Sequence, residues 1–117
     1  MGSGTSSGRG TVSMPRGTRN AATGRKEYDD RTIESFVNRL SFKDVGNGEW
    51  TIQHPAFGGA QILAATNLTF GWNDYEVHVW DSDYNMEAVK KFGSLNEAKA
   101  YAKRRLESNF DPEKANR

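Results

Sequence analysis

The chain has 117 residues, 35% of them hydrophobic and 26% charged, which leaves room for one domain with a small core and a tail. It contains no cysteine, so disulfides, thiolate metal sites and cysteine nucleophiles are excluded, and the composition fits a cytoplasmic protein. The formal net charge of +1 conceals a split: residues 1–26 carry +5, the remainder carries −4, and no Lys or Arg occurs between Lys43 and Lys90.

Residues 1–26 are Gly, Ser, Thr and Arg with almost nothing apolar, a composition that cannot offset the entropy of ordering, so they read as a disordered basic tail. Such an arm, carrying Arg9, Arg16, Arg19, Arg25 and Lys26, attracts phosphates; its other reading is a solubilising leader. It has no apolar centre of the kind a secretion signal needs. Tyr28 to Leu40 predicts a helix capped by Asp29 or Asp30, with Ile33, Phe36, Val37 and Leu40 at amphipathic spacing. A competing strand over Phe36 to Val45 is compatible with it if the helix stops near Arg39.

Gly46-Asn47-Gly48 is a hairpin signal between Leu40–Val45 and Glu49–Gln53. Trp50, Ile52 and His54 share one parity and predict a core-facing row, which Pro55 ends because proline cannot donate to a ladder. Ala60 to Phe70 predicts the next strand, although its first half also contains good helix formers. Gly71 to Asp74 is a turn. Tyr75, Val77 and Val79 then alternate with Glu76, His78 and Trp80, the pattern of a half-buried strand.

Asp81-Ser82-Asp83-Tyr84-Asn85 supplies turn chemistry, and Met86 to Phe92 reads as a return strand at a sheet edge guarded by lysines. Ser94-Leu95-Asn96-Glu97 fits a capping box, followed by Ala98, Ala102 and Leu106 on one helical face. Residues 111–117 predict a frayed C-terminus, with Phe110 docking back on the body. The fold class is therefore α+β: an antiparallel four- to five-stranded sheet in sequential order, a short N-terminal helix and a packed C-terminal helix, forming a single domain over 27–110.

His54 and His78 are the only acid–base candidates near neutral pH, and parity puts them on opposite faces of the sheet. Asp81-x-Asp83-x-Asn85 copies three ligand positions of a calcium loop, but Met86 and Phe92 stand where that loop needs Gly and Glu. Neither pattern predicts an enzyme, a metal or a cofactor. No apolar run approaches the roughly 18–20 residues that span a bilayer, so no membrane partner is expected.

The run Lys91-Phe92-Gly93-Ser94-Leu95-Asn96-Glu97-Ala98-Lys99-Ala100-Tyr101-Ala102 resembles a strand-to-helix module of small phage and bacterial accessory proteins. It is also similar to the sheet-plus-helix DNA-binding domains of phage integrase arms and plant ethylene-response factors. In those domains Arg- and Lys-rich strands read the major groove, whereas the matching strands here carry Glu49, Glu76, Asp81 and Glu87, with no Lys or Arg from 44 to 89. A double-stranded-RNA domain shares the helix, sheet, helix order, but its basic start to the last helix is not reproduced after Ser94. No functional residue is carried over from these families. The first resemblance implies a phage-encoded accessory protein working in the host cytoplasm.

Two functions follow. In the leading one, an acidic aromatic sheet surface of Glu76, His78, Trp80, Asp81 and Asp83 binds or inhibits a basic, nucleic-acid-processing host protein, with the outward Trp as anchor. That reading requires the face to be open; if the Tyr28–Leu40 helix covers it, Trp80 is core. In the alternative, nucleic acid binds the basic arm together with Lys99, Lys103, Arg104 and Arg105 on the C-terminal helix.

Overall fold

Five strands pair in their chain order, each antiparallel to the last, in a computed structural model that describes residues 12–67 and 72–116. Arg9 and the rest of residues 1–11, Leu68 to Gly71 and Arg117 lie outside the described residues. The strands are β3 Lys43–Gly46, β4 Glu49–His54, β5 Gly58–Asn67, β6 Trp72–Trp80 and β7 Met86–Phe92. A separate two-stranded hairpin, β1 Thr18–Arg19 with β2 Lys26–Glu27, precedes them. Among the described residues three helices complete the fold: α1 Asp30–Arg39, α2 Leu95–Ser108 and the short α3 Pro112–Ala115. The class is α+β with an antiparallel sheet.

Local chemistry explains the boundaries. The Asp29 carboxylate accepts the Thr32 amide at 2.8 Å and starts α1, while the Ser94 hydroxyl accepts the Glu97 amide at 3.1 Å and starts α2. Asn47 and Gly48 take φ of 55° and 72° between β3 and β4, the left-handed conformation that an Asn-Gly turn accommodates. The β6–β7 turn is built by Asp81, whose carboxylate accepts the amides of Asp83 and Asn85 at 2.9 and 3.0 Å.

Registers align one face into apolar rows. Trp50 stands opposite Ile62 and Ile62 opposite Val77; Ile52 pairs with Ala60, Ala60 with Val79, and Val79 with Ala88. α2 lies across these rows through Ala98, Ala102 and Leu106, all fully buried. The two small alanines let the helix backbone approach β5 and β6. α1 packs beside α2, not on the far side of the sheet: Phe36 stacks on Phe57 at 5.8 Å and meets His54 edge-on at 5.3 Å, both on the helix-covered side. Covering the opposite face would take Phe36 and Val37 out of this core.

Residues 12–28, mostly within the segment expected as a disordered tail, and residues 110–116, at the end expected to fray, contact each other. Composition alone could not show that the two segments support each other. The Asn116 side chain pairs with the backbone of Lys26 in both directions, accepting its amide at 2.8 Å and donating to its carbonyl at 3.1 Å. Arg25 bridges to Glu113 at 3.1 Å. Phe110 docks between Tyr28 and Phe57 with centroid distances of 5.0 and 4.9 Å, and the Asp111 amide donates to the Ala56 carbonyl at 2.8 Å. Among the described residues no helix is long and apolar enough to cross a membrane.

Candidate functional site

The opposite parity of the sheet makes three polar–apolar rows on a face over which no described helix lies. Thr51, Gln61, His78 and Val89 form one; Glu49, Leu63, Glu76 and Lys91 form the next; Gln53, Gly59, Trp80 and Met86 form the third. The last row depends on a bulge in β7. Val79 pairs with Ala88 and Trp80 with Met86, so Glu87 is the extra residue, and its carboxylate accepts Arg105 of α2 at 2.9 Å. Met86 is thereby aligned with Trp80.

Trp80 is held tightly against its neighbour. A β-carbon added at Gly59 would lie 2.7 Å from each of three indole atoms, Cε2, Cζ2 and Nε1, so the ring rests on the glycine backbone. Beside this half-buried indole, Met86 and Val89 are 58% and 54% exposed. A fixed aromatic plate flanked by uncovered aliphatic groups is the composition of an interface anchor, because little rotamer entropy remains to be lost.

The face is less acidic than the sequence suggests. Glu49, Asp74 and Glu76 are on the face, but Lys43 and Lys91 occupy its edge strands, and Lys91 is the direct partner of Glu76. The carboxylates are also engaged: Gln61 donates to Glu49 at 2.6 Å, and His78 Nε2 lies 3.1 Å from Glu76. Asp81 is committed to its own turn, whose hydrogen bonds hold its carboxyl below the usual value. Asp83 pairs with Lys114 of α3 at 2.5 Å, and Lys114 also donates to the Ser82 carbonyl at 2.6 Å. The five residues predicted for partner binding thus divide, with Glu76, His78 and Trp80 together on the face and Asp81 and Asp83 in structural contacts at its end.

The basic candidates divide as well. Arg19 donates to the Gly24 carbonyl at 2.7 Å inside the hairpin, Arg25 is paired with Glu113, and Lys26 contributes its backbone to Asn116. Arg105 is taken by Glu87. Lys99, Lys103 and Arg104 line a crevice between α1 and α2. Lys103 does not reach its i+4 neighbour Glu107 but donates to the Asn38 carbonyl at 3.2 Å, and burial followed by repulsion from Lys99 pulls its pKa down. Lys99 lies 5.9 Å above the Phe42 ring. Arg16 joins a different crevice, with Arg31 and Arg39 of α1, two residues that sequence reasoning missed. Their i, i+8 spacing places them on one helix stripe, a signal that was present.

His54 is 2% exposed and hydrogen-bonded on both nitrogens: the Ala56 amide donates to Nδ1 at 3.1 Å and Nε2 contacts the Ser13 carbonyl at 2.8 Å. These partners define the neutral Nε2–H tautomer. His78 lies on the other face, so the two imidazoles are not brought together. No protein-family model matches the chain, and neither curated proteins nor solved structures give a match. The fold and the surface define a small α+β protein in which, among the described residues, helices cover one sheet face and leave the other uncovered.

Proposed function

We propose that the chain is a non-enzymatic binding protein whose uncovered sheet face docks a basic segment of a partner protein. The observation that carries this reading is the Trp80 indole resting on Gly59, with Met86 and Val89 exposed at its side. Glu49, Asp74 and Glu76 occupy the central strands while Lys43 and Lys91 sit on the edges, so the charge pattern is a negative centre with a positive rim. A partner cation is favoured near the middle of the face and disfavoured at its margin. An apolar residue beside that cation would cover Trp80.

The test is fluorescence anisotropy of a labelled peptide alternating Arg and Leu, compared with a matched Glu and Leu peptide. The basic peptide binds and the acidic one does not; Trp80→Ala and the double variant Glu49→Lys, Glu76→Lys each weaken binding by about tenfold or more, the range of an interface anchor. Equal weakening by Glu34→Lys, Glu107→Lys on the helical side, or no effect of Trp80→Ala, would remove the sheet face from consideration.

A further inference from the structure

The helix-covered side carries a second charged surface that docking on the sheet does not use. Arg31, Ser35 and Arg39 recur every four residues of α1 and so share one stripe. The segment Ser13–Arg16 runs beside that stripe and is anchored, with the Ser13 carbonyl on His54 at 2.8 Å and Pro15 buried. Between segment and helix lies an open crevice of about 660 Å³, lined by three arginines, Arg16, Arg31 and Arg39, three hydroxyl residues, Ser13, Thr32 and Ser35, and no carboxylate.

Among the described residues none of the three arginines is in a salt bridge, and Arg31 acts on the Asp29 carboxylate only through a weak charge interaction, the last of the causes that lower its pKa. Arg39 lies over the Phe36 ring at 5.8 Å, which supports the guanidinium plane without using its N–H donors. The neighbouring Asp29 carboxylate is occupied at the helix cap by Thr32. Three guanidinium forks with adjacent hydroxyls offer more donors than the two oxygens of one carboxylate can accept, whereas phosphate oxygens can engage several at once. Leu40 lines both this crevice and the one of about 710 Å³ that holds Lys99, Lys103 and Arg104 together with Glu34 and Glu107, so a second site with more cations than carboxylates follows the first along α1. Spaced cations suit a chain of phosphates better than a single anion.

We propose that the arginine crevice binds the phosphodiester backbone of a nucleic-acid strand, with Arg16, Arg31 and Arg39 on one phosphate and the lysine crevice beyond Leu40 on a following one. Neither crevice includes a residue of the uncovered sheet face. The two surfaces therefore succeed or fail independently.

The experiment is anisotropy of a labelled oligouridylate against the full chain across a salt series, with inorganic tripolyphosphate and polyglutamate as competitors. The strand binds in a salt-sensitive manner, and the double variant Arg31→Gln, Arg39→Gln loses about tenfold or more in affinity. The slope of log K against log salt falls by about 0.7 in that variant, the value for the one phosphate the arginines share. Trp80→Ala leaves this binding unchanged. An isotherm unaffected by the double variant, an equal loss in Arg25→Gln, competition by polyglutamate as strong as by tripolyphosphate, or tripolyphosphate binding without strand binding would each overturn the proposal. Amide shifts of Thr32 and Ser35 on titration with the oligouridylate give a readout on the unmutated chain, and their absence counts equally against it.

Discussion

The carbonyl oxygen of Ser13 lies 2.8 Å from Nε2 of His54, forty-one residues further along the chain. With Nδ1 accepting the Ala56 amide, the buried ring is neutral, and protonation at Nδ1 would set two N–H donors against each other. Burial lowers the His54 pKa from its ordinary 6.5, the Ser13 carbonyl opposing that shift. Below 6.5 the unfolded chain therefore binds the proton more readily than the folded one. Stability falls as pH drops through that value and levels off below the folded pKa, with a slope of at most about 1.4 kcal/mol per pH unit. Urea midpoints between pH 5 and 8 should show this decline in the parent chain and in His78→Gln. In His54→Gln the decline should be absent; its persistence there would assign it elsewhere.

Gly59→Ala should be destabilising by about 1–3 kcal/mol, because the new methyl would meet the Trp80 ring well inside contact distance. The indole must lift from the sheet, so near-ultraviolet circular dichroism should change as well as the denaturation midpoint. A stability loss with an unchanged aromatic spectrum would show that the sheet yields instead of the ring.

Ala98 is fully buried where α2 crosses the sheet. Ala98→Leu should overpack that crossing at a cost of about 1–3 kcal/mol, measured by urea unfolding. Lys99→Leu, one position along on a partly exposed site, should cost far less.

Asn116→Ala should release the N-terminal hairpin without unfolding the domain. It removes both hydrogen bonds to the Lys26 backbone, which lies on the exposed β2. Hydrogen exchange at β1 and β2 should accelerate while β5 and β6 amides keep their protection. Acceleration throughout the sheet would mean that the hairpin and the domain unfold as one unit.

The parts of the fold legible in the sequence were those whose signals are local. Strict alternation from Tyr75 to Trp80, the Asp81 turn and the Ser94 cap marked β6, β7 and α2, and β7 covers Met86–Phe92 as the pattern indicated. The N-terminal hairpin was hidden because its support is long-range: Lys26 and Asn116 are ninety residues apart, and neither β1 nor β2 buries a side chain. Charge was misleading for a similar reason. An acid-only stretch from residue 44 to 89 reads as an acidic surface, yet Lys91 pairs opposite Glu76, Lys114 reaches Asp83, and Asp81 turns its carboxylate on its own backbone. The arginine crevice required Arg16 to meet Arg31 and Arg39, which only the packing of the 13–16 segment on α1 brings about.

The sequential strand order has a consequence for biosynthesis. Every ladder joins neighbours in the chain, so the sheet can be assembled strand by strand during translation, with little loop-closure entropy at each step. Its cover arrives late, since Ala98, Ala102 and Leu106 all follow β7. A nascent chain that has emerged only as far as Phe92 would hold a completed sheet with Ile62, Val77 and Val79 lacking their α2 lid. The interval in which the nascent protein is open to aggregation or chaperone capture is thus set by the translation of α2.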